Sequence, residues 1–253
     1  MIRQLTEQDR PFLEGLTGLH WSTLRIRALT KAYGFGYSFL RFFGDEEYKL
    51  AICIQDGFAV LWIADGEESF RKKKAAEAAE FLPMAADYLL SELPLEGITE
   101  EFEPTEGYTF VCREYPPKEL GGITENVQVA FPILSRVFPE SVNQKCYLQW
   151  YADHSHRIRH GMSRVFTLDG VCTGTCYACE DGFLGVNQLA TLPEHRKEGW
   201  AKAMLSHMTF AVRPEKGILL QSQNPESDRF YERLGFLPVE KWYSYERKKE
   251  NPS

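Results

Sequence analysis

The stretch of this chain richest in chemical content runs Leu189-Ala-Thr-Leu-Pro193-Glu-His-Arg196-Lys-Glu-Gly199-Trp-Ala201-Lys-Ala-Met-Leu205. An apolar strand is expected to end near Thr191, and a polar turn follows. Helical periodicity begins at about Trp200, with Met204, Leu205 and Met208 on one side. The first amides of a helix have no partner within it, and its dipole presents positive charge there, so the mouth of this helix can hold a phosphate. Gly199 and Ala201 carry little or no side chain and allow close approach of a ligand to the backbone. Arg196, Lys197 and Lys202 add cationic hydrogen-bond donors. Alone, R-x-x-G-x-A also describes an ordinary charged helix start.

Cysteine and histidine clusters raise a different chemistry. Cys172, Cys176 and Cys179 form C-x3-C-x2-C, and thiolates favour tetrahedral zinc. Val171 to Ala178 reads as a strand, however, so Cys172 and Cys176 share one face and Cys179 points to the other. No metal is therefore expected. The chain contains six cysteines, thinly spread, which read as free thiols, with Cys53 and Cys112 in the core. His154, His156 and His160 sit in an Arg-rich stretch that is either a loop or a frayed helix: a solvated segment, or a source of a substrate-facing histidine.

These residues need a scaffold, and the hydrophobic pattern outlines one. Ile2–Leu5 alternates like a short strand, and Thr6 and Asp9 offer caps for a helix through Phe12, Leu13 and Leu16. Aromatic and β-branched runs at 37–43, 48–54 and 58–64 suggest an antiparallel meander with Asp56-Gly57 as a hairpin turn. Residues 67–93 read as helix, interrupted near Pro83, with the Arg71–Lys74 run on a solvated face. Short strand-like pieces follow at 98–102 and 108–113. Beyond a Pro- and Gly-rich stretch ending near Gly122, residues 126–138 and 142–152 read as helices. Strands are expected at 163–168, 171–178 and 183–190, with Asp169-Gly170 and Asp181-Gly182 as turns. The matching placement of Gln55-Asp-Gly-Phe58 and Glu180-Asp-Gly-Phe183, with similar element order around each, points to a duplicated architecture.

Composition sets outer limits. In 253 residues, hydrophobic side chains make up 43% and charged ones 26%, enough for one large or two small cores without a disordered class. The longest apolar run, Phe58–Ala64, is far below the ~20 residues of a membrane span. The amino terminus turns polar at once, without the apolar core of a signal peptide, so a cytoplasmic location is expected. A net charge of -7 argues against nucleic acid or a membrane surface as the main partner.

A second element completes the picture. Gly217–Ser222 reads as a strand, followed by Asn224, which can cap a short helix carrying Tyr231 and ended by Gly235-Phe236. Arg196, Gly199 and Ala201, followed by Asn224, Tyr231, Gly235 and Phe236, resemble the GCN5-related N-acetyltransferase (GNAT) superfamily. The resemblance covers about residues 126–247 and is architectural before that. It implies an α/β fold of two GNAT-like domains, each a mostly antiparallel mixed sheet flanked by helices. A degenerate domain would span 1–118 and an acyl-CoA-binding catalytic domain 119–253.

The resemblance also implies roles. Leu189, Ala190 and Thr191 would run along the pantetheine arm of acetyl-CoA, the co-substrate. Arg196, Lys197, Glu198, Gly199, Trp200, Ala201 and Lys202 would form the pyrophosphate loop, with Trp200 covering the ligand and Asn224 on the pantetheine side. Tyr231, a phenol protonated at neutral pH, would return a proton to the departing thiolate. The acceptor would be a primary amine of a small molecule or peptide, attacking the thioester directly. Where relatives carry a carboxylate base on the strand, this chain has Asn187 and Gln188, which leaves Glu180, Asp181 and the three histidines as candidates, and leaves a non-catalytic acyl-CoA sensor as the alternative. The first half is acidic at Asp65-Gly66-Glu67-Glu68, where a phosphate would need positive charge, so it is not expected to bind CoA.

Overall fold

The computed structural model describes residues 1–18, 20–140, 142, 146–177 and 182–248. The chain divides into two compact units. The first comprises Met1–Thr109, Ser222–Asp228 and Pro238–Ser253, and the second Phe110–Gln221 and Arg229–Leu237. A contiguous division at residue 118 misses the return of the chain to the first unit. That return follows from a strand, β12 (Leu237–Arg247), whose Tyr243–Glu246 pair antiparallel with β5 (Tyr88–Ser91) and bury Tyr245 in the first core.

The first unit opens with β1 (Ile2–Gln4), short α1 (Arg10–Glu14) and α2 (Trp21–Tyr33), followed by β2 (Leu40–Asp45), β3 (Leu50–Gln55) and β4 (Phe58–Ile63). Pairing is antiparallel from β1 through β4. Asp56 and Gly57 both take positive φ, 49° and 80°, the conformation of a tight hairpin that matches the twist of the flanking strands. Next comes α3 (Glu68–Phe81), which crosses over so that β5 lies parallel to β4, from Phe58↔Tyr88 to Leu61↔Ser91. The core of this sheet face joins Leu50, Ile52, Ile54, Leu61 and Ile63 to Ala75, Ala78 and Leu82.

Three local expectations are corrected here. Helix does not continue to residue 93: after Pro83 the chain turns and 88–91 form a buried parallel strand, for which Tyr-Leu-Leu-Ser is apolar enough. The strand-like reading of 98–102 gives way to β6 (Phe102–Cys112), and α2 has no counterpart in the pattern read above. Lys72 pairs with Glu68 on the solvated face of α3, but Lys74 is buried at 7% exposure with its Nζ 2.6 Å from Asp45 Oδ2. One helical turn separates Lys74 from Ala78, so both point at the sheet.

In the second unit, β7 (Ile123–Thr124), α4 (Val127–Val137) and α5 (Tyr147–Arg159) precede β8 (Ser163–Leu168), β9 (Cys172–Tyr177) and β10 (Phe183–Thr191). Helix α6 (Trp200–Val212) then leads to β11 (Gly217–Ser222), parallel to β10, and to α7 (Pro225–Arg233). The β8–β9 hairpin turns on Asp169 and Gly170, again with positive φ at both residues. One face packs on α6 through Met204, Leu205 and Met208, the other on α4 and α5 through Phe131, Leu134 and Trp150. Among the described residues no helix is long and apolar enough to cross a membrane.

Candidate functional site

Strand β10 has two neighbours along only part of its length. From Phe183↔Gly217 to Val186↔Leu220 it pairs in parallel with β11, and the pairing given between the two strands ends there. Its antiparallel register with β9 shifts between Val186 and Gln188 and then continues to Thr191↔Cys172. A bulge at this point bends the strand and re-aims its edge. Residues 187–191 therefore extend beyond the parallel pairing for about 16 Å, at ~3.3 Å per residue. Leu189 packs toward α6, while Ala190 is buried toward α4 and α5, as alternation along a strand requires.

That free length of strand leads straight into the loop. Pro193–His195 form one tight turn, Lys197 adopts φ 68°, and Gly199 caps α6 with φ 91° and ψ 2°. A Cβ at Gly199 would meet nothing within 4 Å, so glycine is required by backbone conformation, and space lies open in front of it. Gly199 has no side chain to cap the helix, which leaves its first-turn amides for an external acceptor. Arg196, Lys197 and Lys202 are exposed around this mouth.

The loop is tied at both ends. Arg136 of α4 holds Glu194 with two hydrogen bonds of 3.0 and 3.2 Å, a link that a separation of 58 residues conceals in the sequence. Glu198 accepts from Trp200 Nε1 at 2.9 Å and lies 3.3 Å from His195 Nδ1. These contacts hold its carboxyl below the usual range. Its charge is thus engaged inside the loop, and the Trp200 ring is fixed beside the helix mouth.

Tyr231 of α7 is half-buried, with its ring 5.9 Å from that of Phe110 and 5.7 Å from that of Phe236. It packs on the same hydrophobic core as Leu189 and Trp200, so the unit brings these three positions onto one core. Asn224 falls in the first unit, exposed, where its Oδ1 accepts the Glu226 amide at 2.8 Å and opens α7. Gln188, on the strand ahead of the loop, accepts a hydrogen bond from Thr175 Oγ1 at 3.3 Å.

The other candidates are sorted by burial. His154, His156 and the residues between them lie in a regular helix, α5, rather than a solvated loop, because Trp150, His154 and Arg157 form its inward face. His154 stacks on Trp150 with ring centroids 4.1 Å apart, and its Nδ1 lies 3.0 Å from the Trp150 carbonyl. Burial, reinforced by the Arg157 charge, pushes it down to about 3, so it is neutral at physiological pH. Cys172 and Cys176 are free, buried thiols on one strand face, with Thr191 Oγ1 donating to Cys172 Sγ. Cys179, Glu180 and Asp181 lie outside the described residues.

Residues 158–238 match the family model described as acetyltransferase (GNAT) domain. No curated protein matches the sequence. Among solved structures, a tandem GNAT protein from the clavulanic acid biosynthesis pathway is similar over 99% of both chains, with 12% identity and a TM-score of 0.57. An acetyltransferase from Pyrococcus horikoshii aligns over 98% of this chain and 89% of its own, at 13% identity and a TM-score of 0.59. A GCN5-related N-acetyltransferase from Sphaerobacter thermophilus aligns over 100% and 97%, at 11% identity and a TM-score of 0.59. The GNAT resemblance carried by Arg196, Gly199, Ala201 and Tyr231 is thus met by a family match across those residues and by a shared fold along the chain.

Proposed function

We propose that this GNAT-fold chain is an acyltransferase that takes an acetyl or related acyl group from acyl-CoA and passes it to a primary amine, with the cofactor cleft in the second unit. The observation that carries the reading is the parting of β10 from β11 after Val186, immediately before a glycine-opened helix mouth. A crevice beyond the carboxyl ends of parallel strands is where α/β sheets bind ligands. Here one wall is an unpaired strand edge and the floor is a set of helix amides.

Each residue then has a task set by its chemistry. The backbone of Leu189–Thr191 offers the N–H and C=O groups that an amide-bearing arm such as pantetheine pairs with. The first-turn amides of α6, with Arg196, Lys197 and Lys202, neutralise the pyrophosphate. Trp200, held by Glu198, covers the loop. A neutral amine attacks the thioester carbonyl, forming the C–N bond; the C–S bond breaks, and the Tyr231 hydroxyl delivers a proton to the sulfur. The proton released by the amine passes to solvent or to a base on the acceptor side. The excess of acidic residues in the chain suits a cationic acceptor.

A second reading, an acyl-CoA-binding sensor without turnover, is favoured by Asn187 and Gln188 on the strand, since neither can accept a proton from an ammonium. Calorimetric titration of acetyl-CoA, in parallel with a thiol-release assay over a panel of amines, separates the readings. Binding with thiol release supports the enzyme. Binding without release for any amine supports the sensor. Absence of binding overturns both.

A further inference from the structure

The first unit carries its own cluster at the corresponding crevice. Asp65 lies just beyond β4 and Glu92 just beyond β5, at the carboxyl ends of two parallel strands. His20, the residue before α2, and Glu240 of β12 reach the same place. One donor atom from each of His20, Glu92 and Glu240 lies within 4.8 Å of the others. His20 Nδ1 is 2.9 and 3.0 Å from the two Glu240 oxygens, while its Nε2 is 3.4 Å from Asp65 Oδ1.

We propose that His20 Nδ1, Glu92 and Glu240 form a binding site for a divalent transition metal of the Zn2+ type, with Asp65 orienting the histidine. Bonds of about 2.0–2.2 Å to nitrogen and oxygen at tetrahedral angles place neighbouring ligand atoms about 3.3–3.6 Å apart, so the hydrogen-bonded His20–Glu240 pair, now 2.9 and 3.0 Å apart, opens by about 0.5 Å to admit the ion. Glu92 lies within 4.8 Å of both and closes onto the ion by rotation of its carboxylate. The ion displaces to solvent the proton that His20 Nδ1 holds against Glu240, and the neutral imidazole with two carboxylates then balances a charge of +2. A metal-binding histidine ordinarily gives its other ring N–H to a carboxylate, and Asp65 stands on that side.

Two further features belong to a built site rather than to a chance meeting of charges. Ser22 is fully buried beside the Glu92 carboxylate and is hydrogen-bonded to it. Its backbone N–H donates to Glu92 Oε1 at 3.0 Å, which aims the carboxylate. Gly18 lies under the His20 ring so closely that a Cβ there would be 2.4 Å from Cδ2. The imidazole is therefore seated by the loop that carries it. This site is independent of the acyl-CoA reading, because every ligand lies in the first unit.

The test uses the full chain, stripped with a chelator and titrated with Zn2+ by calorimetry. Co2+ serves as a spectroscopic probe of the ligand field, and Mg2+ as a hard-cation control. One equivalent of Zn2+ is expected, with no comparable binding of Mg2+. Binding is expected to fall at least 100-fold in Glu92→Gln and Glu240→Gln and 10- to 100-fold in Asp65→Asn. Cys172→Ser leaves it unchanged if the carboxylate site is the one filled. Asp65 is 75% exposed, so its variant keeps the fold even if Glu92→Gln fails to do so. Absence of stoichiometric Zn2+, retention of full affinity in folded Glu240→Gln and Asp65→Asn, or loss of binding in Cys172→Ser each overturns the proposal.

Discussion

Replacing Gly199 with alanine separates the two demands that the helix mouth makes on this residue. At φ 91° an L side chain is strained by about 1–2 kcal/mol, and nothing within 4 Å adds a clash. For a chain of this size, each kcal/mol moves the melting temperature by about 2–4 °C, so Gly199→Ala should melt about 2–8 °C lower. Gly161 provides the control: it is exposed, has φ 72°, and also faces open space, so Gly161→Ala should lose similar stability. Binding should distinguish them. A displaced charge-assisted hydrogen bond to a phosphate costs about 1.5–3 kcal/mol, or roughly 10- to 150-fold in the acetyl-CoA dissociation constant. Gly199→Glu adds like-charge repulsion and should abolish measurable binding. Calorimetry reports the affinity and differential scanning fluorimetry the stability. Unchanged acetyl-CoA affinity in a folded Gly199→Glu protein would refute the placement of the pyrophosphate at this loop.

Four other outcomes follow from the same geometry. Tyr231→Phe should lower kcat by about 10²-fold or more while leaving the acetyl-CoA dissociation constant within about twofold, as steady-state kinetics with calorimetry would show. Lys74→Met leaves Asp45 buried without its partner and should cost about 3–5 kcal/mol in urea unfolding, whereas breaking the exposed pair of Lys72 and Glu68 should not change stability measurably. Burial alone would raise the Asp45 carboxyl, but Lys74 and the amides of Lys49 and Leu50 outweigh it and hold it below the usual range. Its contribution is therefore complete above the unfolded-state value of about 3.9 and is lost as pH falls through the folded one, so the acid slope of stability should flatten in Asp45→Asn. Burial also pushes Cys53 and Cys176 up to about 12 and Cys172 to about 11, and these thiols should resist a disulfide reagent until the chain unfolds, with partly exposed Cys146 labelled before them.

The helix mouth was legible because its signals are local. Gly199 must take a left-handed conformation, and the apolar period that starts at Trp200 is carried by adjacent residues. The hairpins at Asp56-Gly57 and Asp169-Gly170 were legible for the same reason. What stayed hidden depends on separations that a pattern cannot span. Arg136 meets Glu194, and His20 meets Glu240 at a distance of 220 residues, only after the sheets have formed. Parity placed Cys172 and Cys176 together, yet the Arg71–Lys74 run gave no sign of which lysine turns inward. That choice is made by the meeting of Lys74 with Asp45 at the end of β2. Likewise 88–91 are too short and too near a helix-rich segment to stand out, and pairing with β4 on one side and β12 on the other makes them a strand.

The two units repeat one sequence of elements: a three-stranded antiparallel meander, a crossover helix and a parallel strand. Each parallel pair is in register over four residues. They differ where the chemistry would be. Beyond the paired part, β10 continues for five residues, bulges, and meets a helix capped by an unobstructed glycine with cations around it. By contrast, β4 continues for only two residues and meets α3, whose cap is Glu67 and whose first turn holds Glu68. Carboxylates at a helix start satisfy the dipole internally and repel a phosphate. In the first unit the crevice is instead occupied by His20, Glu92 and Glu240, which attract a cation. The same strand ends thus present opposite charge preferences in the two units. An acyl-CoA titration and a Zn2+ titration of the intact chain should each saturate at one equivalent, and Gly199→Glu and Asp65→Asn should each impair only one of them.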